Sequence, residues 1–232
     1  MKNKLLILSA IISLNCNAEI RSKSADNPRN LIPSGYTVFK ESIGDLNKDN
    51  QDDYVFIIKG TEKGNVTHDE RLGELDRNRR GIIVALKNGD KYDLIAENLD
   101  CFSSENEDGG VYFAPELNVR ITKGKLVIAY SYGRYGFWFY TFRFEHSKLD
   151  LIGYDRSEDR GPVVERATSI NFSTNKMLIK ENTNYGAEGG DEHFKETWTT
   201  IHRDKLIDLK EIKDFDELHR DRLLEMIDSS QN

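Results

Sequence analysis

The sequence predicts a mainly β protein, an antiparallel meander of about a dozen short strands with one helix at its C-terminal end. Three observations carry this. Short apolar or alternating runs recur at roughly the 8–12-residue spacing of all-β folds. Turn pairs such as Asn88-Gly89 and Lys123-Gly124 separate them, and two-residue turns of this kind join antiparallel neighbours. Only Asp214 to Asp228 changes period: Phe215, Leu218, Leu223, Leu224 and Ile227 fall near helical spacing, with Asp214 or Asp216 as a cap. No internal repeat marks a complete propeller, so partial-propeller, sandwich and barrel-like arrangements stay open.

Residues 1–18 read as a signal peptide. Lys2 and Lys4 precede the apolar run Leu5–Leu14, which is too short to span a bilayer. Cys16 and Ala18 supply the small residues before a cleavage after Ala18. The protein is therefore expected to be exported, periplasmic or extracellular, with no transmembrane segment in the mature chain. The rival is lipoprotein anchoring through Cys16. Ser13 and Asn15 occupy the positions where a lipobox wants an aliphatic and a small residue, and Leu14 is one place out. Residues 19–34 are polar with two prolines and read as a linker. Residues 35–232 then form a single β-rich domain, with the helix at 214–228.

Within that domain, strands are predicted at Tyr36–Ile43, Tyr54–Ile58, Gly81–Leu86, Lys91–Leu99, Leu117–Ile121, Leu126–Tyr132, Phe137–Phe144, Leu149–Tyr154, Thr168–Phe172, Met177–Lys180, Lys195–His202 and Leu206–Leu209. Tyr54–Ile58 and Ile82–Leu86 are apolar at successive positions, so both faces of these strands are expected to be buried. The charged stretch 60–80 breaks the pattern. It has room for a short helical turn, interrupted by Gly73. A net charge of −7 and a pI of about 5.4 disfavour nucleic acid and anionic membrane as partners. Cys101, between Asp100 and Phe102 and close to Leu99, reads as a small buried hydrophobe.

The stretch Ile43–Ile58, IGDLNKDNQDDYVFII, carries the clearest chemistry. Asp45, Asn47, Asp49 and Asp53 place oxygen ligands at alternate positions, the spacing by which a tight loop surrounds Ca²⁺. The backbone carbonyl of Gln51 and water would complete the shell. An EF-hand is excluded on two counts: its closing Glu would fall at Phe56, and both flanks read as strands. Asn50 stands where the loop needs a left-handed backbone. At these residues the chain resembles the calcium loop of FG-GAP and VCBS-type repeats, the blades of integrin-α-like propellers. The resemblance implies Asp45, Asn47, Asp49 and Asp53 as ligands of an ion that stiffens a strand–loop–strand turn. One copy of the motif is present, with Asn50 in place of the family's glycine.

Two further features are candidates. The loops 103–110 and 186–192 each combine glycines with carboxylates, Glu105, Glu107 and Asp108 in one and Glu188, Asp191 and Glu192 in the other. Such groups suit a second cation, an acid–base pair for sugar hydrolysis, or a plain solvated turn. The aromatic run Tyr130–Phe144 puts Trp138, Tyr140, Phe142 and Phe144 on one strand face and Phe137 and Phe139 on the other. One face is core and the other is a candidate platform for a glycan or an envelope protein, with Trp138 and Tyr140 as its named residues. There is no HExxH, no phosphate-cradling glycine loop and no GxSxG. The reading is an exported, calcium-stabilised β-domain that binds a partner. The alternative is a carbohydrate-active hydrolase.

Overall fold

The computed structural model describes residues 23–106, 114–202, 205–218, 222, 223 and 225. Among them, strands run in the order β1 (Ser24–Ala25), β2 (Tyr36–Gly44), β3 (Asp53–Gly60), β4 (Val66–Asp69), β5 (Gly73–Asp76), β6 (Arg80–Asn88) and β7 (Lys91–Phe102). They continue with β8 (Glu116–Thr122), β9 (Lys125–Ser131), β10 (Gly136–Glu145), β11 (Lys148–Arg160), β12 (Val163–Asn171), β13 (Lys176–Asn182) and β14 (Phe194–Thr200).

Every sheet is antiparallel. One has five strands in the order β1-β7-β6-β3-β2, one has seven in the order β14-β13-β12-β11-β10-β9-β8, and β4–β5 is a separate hairpin. The seven-stranded sheet is an uninterrupted meander, each strand bonded to its sequence neighbour. Its tight turns explain why. Lys123 and Gly124 at φ 52° and 66°, like His146 and Ser147 at 51° and 61°, adopt the left-handed pair that suits the strand twist.

The two large sheets face each other across the main core. Val55, Ile57, Ile82, Val84 and Ala96 enter from the five-stranded sheet, and Leu126, Ile128, Tyr140, Phe142, Leu151 and Ile170 from the other. The arrangement is therefore sandwich-like, with no closed barrel. The sheets draw together where β2 meets β8: the Ile121 N–H donates to Ser42 Oγ at 2.9 Å, and Lys40 Nζ reaches Glu116 and Asn118.

β3 and β6 are buried on both faces, as their continuous apolar runs predict. Their second face carries Phe56, Ile58, Ile83 and Ala85, and Leu31 covers it. Residues 23–34, expected as a linker, are thus part of the packed structure. β1 pairs with β7, a short 3-10 turn spans Pro28–Leu31, and Leu31 is fully buried. A polar segment with only Pro28 and Leu31 deeply buried looks like a linker in composition.

Three further expectations change. The stretch 60–80 holds the β4–β5 hairpin, preceded by a 3-10 turn at Lys63–Asn65. Gly73 at φ +79° closes that hairpin while Asp69 accepts from the Arg71 and Leu72 N–H groups. The strand expected at Leu206–Leu209 is reduced to one bridge, Asp150 to Asp208, and Leu209–Glu211 is a 3-10 turn. Residues 214–218 are irregular, helical backbone occurs at 222, 223 and 225, and the rest of the expected 214–228 helix lies outside the described residues. Leu218 and Leu223 are buried as expected, joined by Leu209, Ile212 and Phe215. Phe215 stacks on Phe102 at 4.8 Å and meets Tyr140 edge-on, so this tail seals one end of the core. Among the described residues no helix is long and apolar enough to cross a membrane.

Candidate functional site

The oxygen-rich loop joins β2 to β3, the strand–loop–strand context expected for it. Lys48 and Asn50 take positive φ, 67° and 65°, so the chain doubles back twice and turns its side-chain oxygens inward onto its own amides. Asp45 Oδ1 accepts from the N–H of Lys48 at 2.5 Å and of Asp49 at 3.1 Å, and its Oδ2 accepts from Asn50 at 3.0 Å. Asn47 Oδ1 accepts from the Asp49 N–H at 3.0 Å, and its amide donates to Asp49 Oδ2 at 2.9 Å. That amide, with the Gln51 N–H at 2.8 Å from Asp49 Oδ1, holds the Asp49 carboxyl below the usual range.

Asp53 differs from the others. It is the first residue of β3 and is completely buried. Its Oδ2 accepts from the Leu46 N–H at 2.7 Å and its Oδ1 from the Lys87 N–H at 2.9 Å. One carboxylate thereby ties the loop both to its own base and to β6, and it lets Leu46 enter the core. Burial pushes the Asp53 carboxyl above the usual range, against the pull of those two N–H groups, and the charge of Asp49 adds to the rise. None of the ion pairs among the described residues includes Asp53.

The chemistry of the donor set suits Ca²⁺: carboxylate and amide oxygens, all hard, all from one loop. Each such oxygen has a second lone pair, so accepting from an N–H does not exhaust it. Among the described residues no three His, Cys, Asp or Glu side chains are already grouped as a metal site.

The other candidates separate in the structure. Glu107 and Asp108 lie outside the described residues. Glu105 pairs with Lys59 at 3.3 Å, and Lys59 pairs with Asp76 at 2.7 Å, so this carboxylate belongs to a surface ion network. Asp191 Oδ1 accepts from the N–H groups of Glu188 and Gly189, which hold its carboxyl below the usual range. Glu192 accepts from the N–H groups of Val164 and Gly190. Asp191 thus organises its own turn, and Glu192 ties that turn to β12.

Trp138 and Tyr140 are corrected as platform residues: their side of β10 is the core side. Tyr140 is buried, its hydroxyl donating to the carbonyls of Phe215 and Leu218, and Trp138 is half-buried, stacked on Tyr130 at 5.0 Å. The outward face carries Phe137 and Phe139 instead, stacked at 5.2 Å, with Phe137 41% exposed. Tyr185, Phe194 and Trp198 are also exposed. The sequence signal for Trp198 was its place in a run, Lys195–Thr200, with no apolar alternation to bury either side. Cys101 is fully buried, and burial pushes its thiol well above the usual range.

Comparison of the chain with protein-family models, with curated proteins and with solved structures found no match in any of the three.

Proposed function

We propose that this is an exported β-domain in which Ca²⁺ fastens the β2–β3 turn, acting as a binding protein toward a glycan or an envelope protein. The observation that carries the calcium reading is Asp53, a fully buried carboxylate with no cationic partner among the described residues, at the base of a loop rich in hard oxygens. Burying a lone charge is costly, and a cation beside it offsets that cost. The spacing of Asp45, Asn47, Asp49 and Asp53, and its resemblance to FG-GAP and VCBS-type loops, supports the same ion. The leader-like residues 1–18 support export. The exposed aromatic side chains, Phe137, Tyr185, Phe194 and Trp198, support a binding role. The hydrolase reading gains no observation: Asp191 accepts from its own turn, and Glu192 from that turn and from β12.

Such an ion binds the folded form alone. At a hundredfold excess over its dissociation constant it adds about 2.7 kcal/mol, or roughly 5–10 °C in melting temperature for a domain of this size. Extracellular modules bind calcium at roughly 10⁻⁴–10⁻³ M, so about 0.4–1.4 kcal/mol is expected at ~1 mM calcium, and the full gain only at roughly 10–100 mM. Thermal melting in calcium and in excess chelator measures it. Asp49→Ala is expected to melt lower in calcium and to lose the response to chelator. Identical melting of the unsubstituted protein in both conditions would overturn the calcium reading.

A further inference from the structure

β14 is the outermost strand of the seven-stranded sheet, and all of its residues are exposed. Its register with β13 runs without a shift from Lys176↔Thr200 to Asn182↔Phe194. Just beyond the two ends, the Ile201 N–H donates to the Asn175 carbonyl at 3.0 Å and the Thr183 N–H to the His193 carbonyl at 2.7 Å. Bonded and non-bonded pairs alternate along an antiparallel ladder. Odd-numbered residues of β14 therefore bond inward. The N–H and C=O groups of Phe194, Glu196, Trp198 and Thr200 point outward, away from the sheet. No proline or bulge interrupts this row, and no covering strand caps it among the described residues; of the devices that ordinarily blunt an exposed edge, β14 carries charged side chains alone, Lys195 and Glu196, toward one end. Trp198, in the outward row, is 63% exposed.

We infer that β14 pairs antiparallel with β14 of a second copy of this chain, about a two-fold axis normal to the sheet, with Trp198 on the axis. Such an axis keeps every side chain on its own face, so only residues of like parity can stand opposite one another. This leaves few central registers. Centring on Lys195 or on Glu196 sets like charges directly opposite, which is unfavourable. Centring on Thr197 puts Glu196 against Trp198 and desolvates a carboxylate, and centring on Thr199 sets Trp198 against Thr200 and forgoes the indole pair. Centring on Trp198 stacks the two indoles, sets Thr197 opposite Thr199, and places Glu196 opposite Thr200. Glu196 keeps Lys180 of its own copy, at 2.6 Å on the same face. This register opposes no like charges, and it joins two seven-stranded sheets into one. A single short strand covers little area, so the pairing belongs with weak, reversible association.

Sedimentation of the purified protein over a dilution series tests this. A reversible monomer–dimer equilibrium is expected. Trp198→Pro removes the indole and one outward N–H and spares every inward bond of β14, so it is expected to stay monomeric with an unchanged circular dichroism spectrum. Trp198→Cys is expected to cross-link two copies on mild oxidation, because opposed Cα atoms in a bonded pair lie about 5.5 Å apart, within disulfide reach. Should the proline variant fail to fold, the cysteine variant decides alone. A protein that stays monomeric throughout, one that assembles beyond a dimer, or a Trp198→Cys variant that never cross-links would overturn the inference.

Discussion

Asp155, in the middle of β11, opposes Phe139 on one side and Ser169 on the other, on the face turned away from the core. Burial raises its carboxyl above the usual range, and the Ser169 hydroxyl, donating at 2.6 Å, pulls it back only in part. A carboxyl whose pKa is higher folded than unfolded takes up its proton more readily in the folded state. Its contribution to stability therefore rises as pH falls through the folded pKa toward the unfolded one, and levels off below both. Asp155→Asn keeps an acceptor for Ser169 without the charge. It is expected to be at least as stable at pH 7, and its advantage should shrink on acidification, read by urea denaturation at pH 7 and pH 4. An equal or growing advantage at pH 4 would contradict the sign. Residues such as Asp155 are not legible in the sequence, because their burial comes from neighbouring strands. The loop Asp45–Asp53 was legible, because its geometry is local and set by spacing. Trp138 and Tyr140 fall between these cases. Alternation told that β10 has two faces, but the opposing sheet decided which face is core.

At the scale of elements, hairpins were the most readable units: Lys123-Gly124 forms its turn as read, and the turn read at Asn88-Gly89 falls one place on, at Gly89-Asp90, with Asn88 paired to Lys91. The segment 23–34 was the least readable, since only Pro28 and Leu31 are buried in an otherwise polar run. Leu31 caps a face of β3 and β6 made of Phe56, Ile58, Ile83 and Ala85. Leu31→Ala is therefore expected to cost about 2–5 kcal/mol, measured by equilibrium denaturation. A chain beginning at Gly35 should melt well below the full protein or aggregate, because that face would stand open to water. Unchanged melting of the shortened chain would make the segment a linker after all.

At the scale of the whole molecule, the meander is local, but the seal on the core is not. Phe215 packs against Phe102 and Tyr140, and its N–H bonds the Cys101 carbonyl at 2.9 Å. Phe215→Ala is expected to cost about 3–5 kcal/mol, a loss comparable to half the stability of many domains. A melting shift no larger than that of an exposed substitution such as Tyr185→Ala would remove the tail from the core. The tail was half legible: its apolar residues were named, while its irregular path, dictated by the gap it fills, was not.

That seal has a consequence in time. Chains are made from the N-terminus at about 5–20 residues per second. A growing chain that has just released Phe102 therefore waits on the order of ten seconds before Phe215 exists to close over it. The five-stranded sheet can form in that interval, whereas the seven-stranded one is complete only at Thr200, about 1–3 seconds before Phe215. Until Phe215 exists, the end of the interior beside Phe102 has no segment of its own chain to close it.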